Sequence, residues 1–394
     1  MRLLDKYIIY SSVFALFTEA FSFHFVIDVK LYYVILLTNF FLLATNKSIT
    51  IHKNLIVILG FLLLHGVINY LWLLNPIQSL IAQLLGISIS SIYYHNLIKY
   101  FSVKKLFEVY LDFSFYIAII SIFMFYLSIN SFSAHRLNGV MSEPAHYAAI
   151  MLPSLYVFLR RKNYLKLFII LLTVLLSKSS IGYIGIALVI IMPLLKAKYF
   201  LKYFIVVVVV IGGSIFYLST VWNEPISENN SNALVRRLKQ TNESLKSVYT
   251  GSFKNDINLS SYAFLSNAYI TRNIVYNNPL GAGIGSYRHE YDKYYGTMKP
   301  PKYLKTTLKK INRTDANSLF LRMVADLGIF AILLLAYFFY RTLKIFGSDG
   351  KISSQATFFY LVIKLIREGH YFPPEFYFFL LIFLKEFDED IAYS

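Results

Sequence analysis

Apolar runs of about 15–22 residues, the length that crosses the hydrocarbon core of a bilayer, follow one another along nearly all of this chain. No other feature constrains its fold as much. Windowed hydropathy divides them into about twelve spans, at 7–27, 31–45, 54–74, 77–97, 109–130, 144–160, 164–178, 180–196, 199–219, 317–341, 354–368 and 371–386. The charge content agrees: 15% of the residues are Asp, Glu, Lys or Arg, against roughly a quarter in soluble proteins. The chain therefore reads as an all-α, polytopic integral membrane protein. Its first run lacks a small-residue cleavage site, so it is expected to stay as a span and not to be removed as a signal peptide.

The seventh and eighth spans come from one stretch, YLKLFIILLTVLLSKSSIGYIGIALVIIMPLL. It is too long for one helix, and the polar SKSSIG in its middle is expected to be a turn at an interface. With that split, and with the N-terminus inside, the short inner loops collect Lys104, Lys105, Arg160, Arg161, Lys162, Lys196, Lys198 and Arg341 among others. The short outer loops hold only Lys30, Arg136, Lys178 and Arg367. This is the positive-inside asymmetry, and it places both termini in the cytoplasm.

Three segments result. An N-terminal bundle of about nine spans covers 1–219, a large outer loop covers 220–316, and about three more spans with a short tail cover 317–394. The loop is net basic, with Arg236, Arg237, Arg272, Lys299, Lys302 and Arg313 among its cations. A basic loop over a membrane suits an anionic partner; solvated lysines of a generally basic chain account as well for 293–310. The net charge of +17 also raises nucleic acid. Its clustering between apolar runs is a topology signal instead, so no nucleic-acid partner is expected. The absence of cysteine excludes disulfides, thiolate metal ligands and a cysteine nucleophile. No H-E-x-x-H, P-loop or nucleophile elbow is present, and DED at 388–390 reads as a solvated charge run.

Polarity concentrates in a few stretches between the apolar runs. RLNGVMSEPAHYA, 136–148, places Arg136 and Glu143 in one Gly- and Pro-bounded loop, with His146 just inside the sixth span. Arginine's planar fork matches phosphate oxygens and stays charged when partly desolvated. Several cations near the outer face, namely Arg136, Lys178, Arg272, Arg313 and Arg367, would together neutralise a diphosphate. The plainer readings are snorkelling at helix ends for Lys178 and Arg367 and a salt bridge to Glu143 for Arg136. NNPLGAGIGSY, 277–287, carries Gly281, Gly283 and Gly285 without the dinucleotide spacing. Close packing of a loop on a helix is favoured there over an anion-lining turn. Asp315 stands where N-capping explains it, and is also placed to act as a general base. Asp326, deeper in, needs a cavity or Arg322 at i−4. Tyr287, Tyr291, Tyr294 and Tyr295 suit either sugar stacking or packing.

The order of RLNGVMSEPAHYAAIML, LLSKSSIGYIGIAL, NPLGAGIGSY and DANSLFLRMVADLGIF, with the large loop between the ninth and tenth spans, resembles the O-antigen polymerase and O-antigen ligase superfamily. The resemblance covers essentially the whole chain. It implies an all-helical glycosyltransferase of the bacterial inner membrane that takes undecaprenyl-diphosphate-linked sugars on the periplasmic side, with no nucleotide sugar, cofactor or metal. Arg136 matches the arginine before the superfamily's G-x-x-x-x-P segment, here Gly139 to Pro144. Lys178 matches the cation of its S-R/K turn, and Arg272 the loop arginine before N-P-x-G-x-G. Asp315 and Asn317 fall where ligases have a His-Asn pair; the missing histidine favours a polymerase. IREGHYFPPEF looks like the turn between the last two spans of polymerases.

The expected reaction is polymerisation of lipid-linked repeat units into O-antigen or capsular polysaccharide. Arg136 and Arg272, with Lys178, would stabilise the departing diphosphate, and the dipole of the helix opened by Glu143 and Pro144 would add to them. Asp315, or Glu143, would take the proton of the attacking hydroxyl. Gly281, Gly283, Gly285, Tyr287, Arg313, Asn317 and Arg367 complete the candidate substrate contacts. Expected partners are the lipid-linked oligosaccharide, membrane lipid, and a flippase and chain-length regulator of the same pathway. The alternatives are a ligase passing the glycan to lipid A–core and a lipid-linked oligosaccharide flippase or other transporter.

Overall fold

The computed structural model describes residues 2–24, 28–129, 135–194, 209, 246–255, 257–348, 350–373 and 375–392. Apart from 209, the ninth expected span, 199–219, and the loop segment 220–245 lie outside the described residues. The described chain is mostly helical, with a single short hairpin pairing Ser22–His24 with Asp28–Lys30.

The helices begin where local chemistry starts them. Helix α1 is Leu3–Ala15, α2 Leu31–Asn46, α3 Lys53–Leu73, α4 Ile77–Tyr100 and α5 Val103–Tyr126. Ser102 opens α5 by accepting from Lys105 N at 3.3 Å. Helix α6, Pro144–Arg160, has Pro144 in its first turn, where the missing N–H costs nothing. Asn163 caps α7, Tyr164–Leu176, and α8 is Ser180–Ile191. Further on come α9 Leu259–Asn277, α10 Tyr287–Tyr295, α11 Thr306–Lys309, α12 Leu319–Leu327, α13 Ile329–Phe346, α14 Ile352–Arg367 and α15 Phe376–Ala392.

Among the described residues four helices, α3, α4, α5 and α13, are long and apolar enough to cross a membrane. Val57, Leu64, Leu71 and Trp72 stand exposed on α3. An apolar exterior of this kind is costly in water and at home against lipid tails. These helices are compatible with a membrane protein.

Two expected spans take a different form. The first, 7–27, is helical only to Ala15; the chain then turns, with Thr18 Oγ1 donating to Ala15 O at 2.7 Å, and enters the hairpin. The tenth, 317–341, is broken at Gly328 into α12 and α13. Gly328 has φ 55° and ψ −129°, a region reserved for glycine. Ile329 N donates not within the helix but to Pro279 O, at 3.0 Å.

The chain forms two compact units: Met1–Leu64 with Ile81–Leu194 and Phe339–Ser394, and His65–Leu80 with Leu195–Phe338. In the first, α6 is central. It packs against α14, α7 and α8, while α14 also packs along α15 and α1 against α2 and α5. From Pro144 to Phe158 every residue of α6 is buried except His146. In the second unit α9 lies against α10 and α12 over an aromatic core that includes Tyr262, Tyr287 and Tyr291.

Candidate functional site

In the first unit the polar stretches meet at helix ends. The loop before α6 runs against the turn between α7 and α8: Leu137 N donates to Leu176 O at 3.1 Å and Arg136 Nε to Ser177 O at 3.3 Å. Gly139 allows this path. Its φ is +52°, and a Cβ there would sit 2.2 Å from Ser121 Oγ. The three residues Ser177 to Ser179 do separate two helices, and Lys178, exposed, takes a left-handed φ of 47°. Glu143 holds the N-cap position of α6 without capping it. Its carboxylate faces Arg367 instead, Oε2 to Nη2 at 3.9 Å. So exposed a pair contributes at most about 1 kcal/mol.

Beside that pair lies a buried ion cluster. Glu19, in the turn after α1, accepts from Ser142 N at 3.4 Å and pairs through Oε1 with His146 Nδ1 at 2.7 Å. The other imidazole nitrogen, Nε2, is 3.8 Å from Glu368 Oε2. Glu368 is also bound by Lys364, one turn earlier on α14, whose ammonium lies 2.8 Å from Glu375 Oε1. Glu19, Lys364, Glu368 and Glu375 are all buried; His146 is the most accessible member, at 16%. Four separate stretches of chain, 16–20, 136–146, 176–179 and 364–375, are thereby joined through side chains and backbone.

The second unit holds the other candidates. Gly281, Gly283 and Gly285 have φ of 88°, 93° and 83°. Their turn lies on the end of α12: Ala282 N donates to Ala325 O and Gly283 N to Asp326 O. The Asp326 carboxylate, fully buried, accepts from Gly285 N at 3.2 Å and Ser286 Oγ at 3.4 Å, with Arg322 Nε at 3.7 Å. From the other side His65 Nε2 meets Leu280 O at 2.9 Å and Asn75 Nδ2 donates to Ala282 O at 2.7 Å. The turn is thus gripped by backbone and amide contacts, as close packing requires.

Tyr287 is fully buried with its hydroxyl on Asn267 Oδ1 at 2.7 Å, and Tyr291 stacks on Tyr295. Arg272 is exposed and its guanidinium covers the Tyr249 ring at 4.8 Å. Ser318, not Asp315, caps α12 by accepting from Leu321 N at 3.3 Å. The Asp315 carboxylate accepts from Asn312 Nδ2 at 3.0 and 3.2 Å. Asn317 and its neighbour Ala316 are buried with left-handed φ of 59° each. For a non-glycine pair this is stored backbone strain, of order 1–3 kcal/mol per residue. Replacing Ser318 by Ala is expected to cost about 1 kcal/mol of unit stability, read as a lower denaturation midpoint.

Arg313 is ion-paired with Asp292, which also meets Lys310 at 3.4 Å. Burial works to raise the Asp292 pKa, but the two cations outweigh it and hold the carboxyl below its ordinary 3.8. A depressed folded-state value means the stabilisation is full above pH 3.8 and fades as pH falls through the folded value. Hydrogen-exchange protection over 287–313, corrected for the intrinsic pH dependence of amide exchange, is expected to fall on acidification from pH 5 to pH 3, and Asp292→Asn should flatten that response.

The sequence pattern alone did not single out Glu19, Lys364 or Glu368. A signal was available: Glu19 and Lys364 both fall inside expected spans, where ionisable residues are rare and functional. The sequence matches no family model, and no curated protein and no solved structure is similar to it.

Proposed function

We propose that this chain is a repeat-unit polymerase at the periplasmic face of the bacterial inner membrane. It transfers a growing glycan from undecaprenyl diphosphate to a hydroxyl of the next lipid-linked repeat unit. The observation that carries this reading is the meeting of the Arg136–Glu143 loop, the Ser177–Lys178 turn and the Arg367–Glu375 turn in one place. Charge topology assigns all three to the same side of the membrane, and each bears one of the motifs on which the superfamily resemblance rests.

The chemistry asked of such a site is modest. The leaving group is already a diphosphate, so the main demand is to balance its charge as the glycosidic bond breaks. Arg136 and Lys178, which the loop before α6 and the turn after α7 bring together in the first unit, serve that demand. The positive end of α6, buried along its length, adds to them. Asp315 takes the proton of the acceptor hydroxyl, its carboxylate aimed by Asn312; Glu143, engaged with Arg367, is the second candidate. Gly281, Gly283 and Gly285 hold their turn on the end of α12 in the second unit, which also carries Arg272 and Asp315. A flippase and a chain-length regulator are its pathway partners.

Purified protein in liposomes, supplied with lipid-linked repeat units alone, is expected to build a ladder of lipid-linked chains. Cells without the gene should carry a single repeat unit on their lipid A–core. Bare core in those cells would favour the ligase instead, and translocation of the lipid-linked unit without a ladder would favour a transporter.

A further inference from the structure

Two contacts fix the height of the turn after α9. The carbonyl oxygen of Leu280 lies 2.9 Å from His65 Nε2, and that of Pro279 accepts from Ile329 N at 3.0 Å. His65 belongs to α3 and Ile329 to α13, both long and apolar enough to cross a membrane. We propose that the tip of the outer loop, 276–280, dips back into the outer leaflet and rests Tyr276 and Leu280 on phospholipid acyl chains. This inference rests on α3 and α13 crossing the bilayer in the directions that charge topology gives them, and not on the transfer reaction.

Helix rise sets the depth. Helix α3 has 21 residues, about 31 Å of helix, and so matches a hydrocarbon core of about 30 Å. Trp72, 84% exposed beside its outer end, stands where interfacial tryptophans stand. His65 comes eight residues before Leu73, the last of the helix, which places it about 12 Å below the outer edge. Helix α13 gives nearly the same level from the other direction. Ile329 is fifteen residues from Lys344, the exposed cation near the inner end. It therefore stands about 22 Å above the inner edge and about 8 Å below the outer one.

The turn is also made as hydrocarbon requires. Irregular backbone at membrane depth must satisfy its polar groups within the protein. The carbonyls of Pro279, Leu280 and Ala282 meet Ile329 N, His65 and Asn75, and the amides of Asn278, Gly281, Ala282 and Gly283 donate to backbone carbonyls. The side-chain amide of Asn277 donates to Asn273 O and to the Tyr294 hydroxyl. An aqueous loop tip could leave all of these groups to water.

The large side chains that the tip leaves exposed are Tyr276, at 79%, and Leu280, at 58%; Ile68 on α3 and Ile329 and Leu333 on α13 are exposed as well. Surface of this kind is costly in water and at home against lipid tails. Seated there, the outer loop is held at the surface from which a lipid-linked substrate would be drawn.

The chain has no cysteine, so single cysteines report without background. The test places nitroxide labels on Tyr276→Cys and Leu280→Cys in the full chain, reconstituted in phosphatidylcholine–phosphatidylglycerol liposomes. Leu64→Cys, exposed on α3, is the lipid control, and Lys302→Cys, exposed on the outer loop, is the aqueous one. Power saturation of the electron paramagnetic resonance signal is read with oxygen and with a water-soluble nickel chelate. Labels at 276 and 280 are expected to respond to oxygen and to lose the chelate effect, as at 64. A chelate effect at 276 or 280 equal to that at 302 overturns the proposal while the label at 64 stays protected. A label that neither reagent reaches reports burial in protein and overturns it too. A label at 64 open to the chelate overturns the membrane reading of α3, and the proposal with it.

Discussion

Arg136→Ala protein is expected to elongate lipid-linked repeat units about a hundredfold or more slowly than wild type, the usual effect of removing one donor to developing charge. The structure sharpens why this residue is the one to change. Arg136 donates Nε to Ser177 O, which holds its side chain against the turn that carries Lys178. Glu143, the nearest carboxylate in sequence, is engaged with Arg367. A purely structural Arg136 would behave otherwise. Losing one backbone-directed hydrogen bond costs about 1 kcal/mol, which lowers the amount of folded protein but not the rate per folded molecule. Arg136→Lys separates the two further, because it keeps the charge and loses the planar fork. Elongation per folded molecule, measured with gel-filtered protein, is the readout. Equal rates for wild type and Arg136→Ala would remove Arg136 from the catalytic group.

The second large effect is expected at Gly281. A Cβ there would lie 2.5 Å from Asp326 O and 2.6 Å from Gly328 N, and the residue sits at φ +88°. The left-handed backbone costs a side chain about 1–2 kcal/mol. Forcing the turn off the end of α12 adds about 1–3 kcal/mol. Gly281→Ala should therefore lose about 2–5 kcal/mol of stability, enough to expose the second unit to proteolysis at room temperature. Gly296→Ala is the matched control: nothing lies within 4 Å of its added carbon, and a change within about 0.5 kcal/mol is expected. A Gly281→Ala protein as protease-resistant as wild type, but inactive, would mean that the turn meets a ligand and not the α12 backbone.

These two positions show how much could be read in advance. The Gly-rich turn and the Arg136 loop were both visible as motifs, because Gly, Pro and Arg stand out against an apolar background. Helix α6 begins at the Pro144 that marks the start of the sixth run, and the SKSS turn falls between α7 and α8. Both follow from chemistry within a few residues: a proline without an N–H, serines competing for backbone groups.

The early end of α1, the break at Gly328 and the buried ion cluster were decided elsewhere. Glu19 lies past the end of α1 and pairs with His146, 127 residues away, and Gly328 takes a φ of +55° where an added Cβ would meet Pro279 O at 2.1 Å. The pairing of His65 and Asn75 with the 280–282 turn belongs to the same class. Hydropathy and capping act over one or two turns of helix, so the sequence by itself determines which segments are helical and apolar. Which charged side chains end up facing one another depends on how those helices pack laterally. Leucine, isoleucine and phenylalanine faces fit many neighbours almost equally well, so only the assembled tertiary structure brought Glu19, His146, Lys364, Glu368 and Glu375 into one cluster.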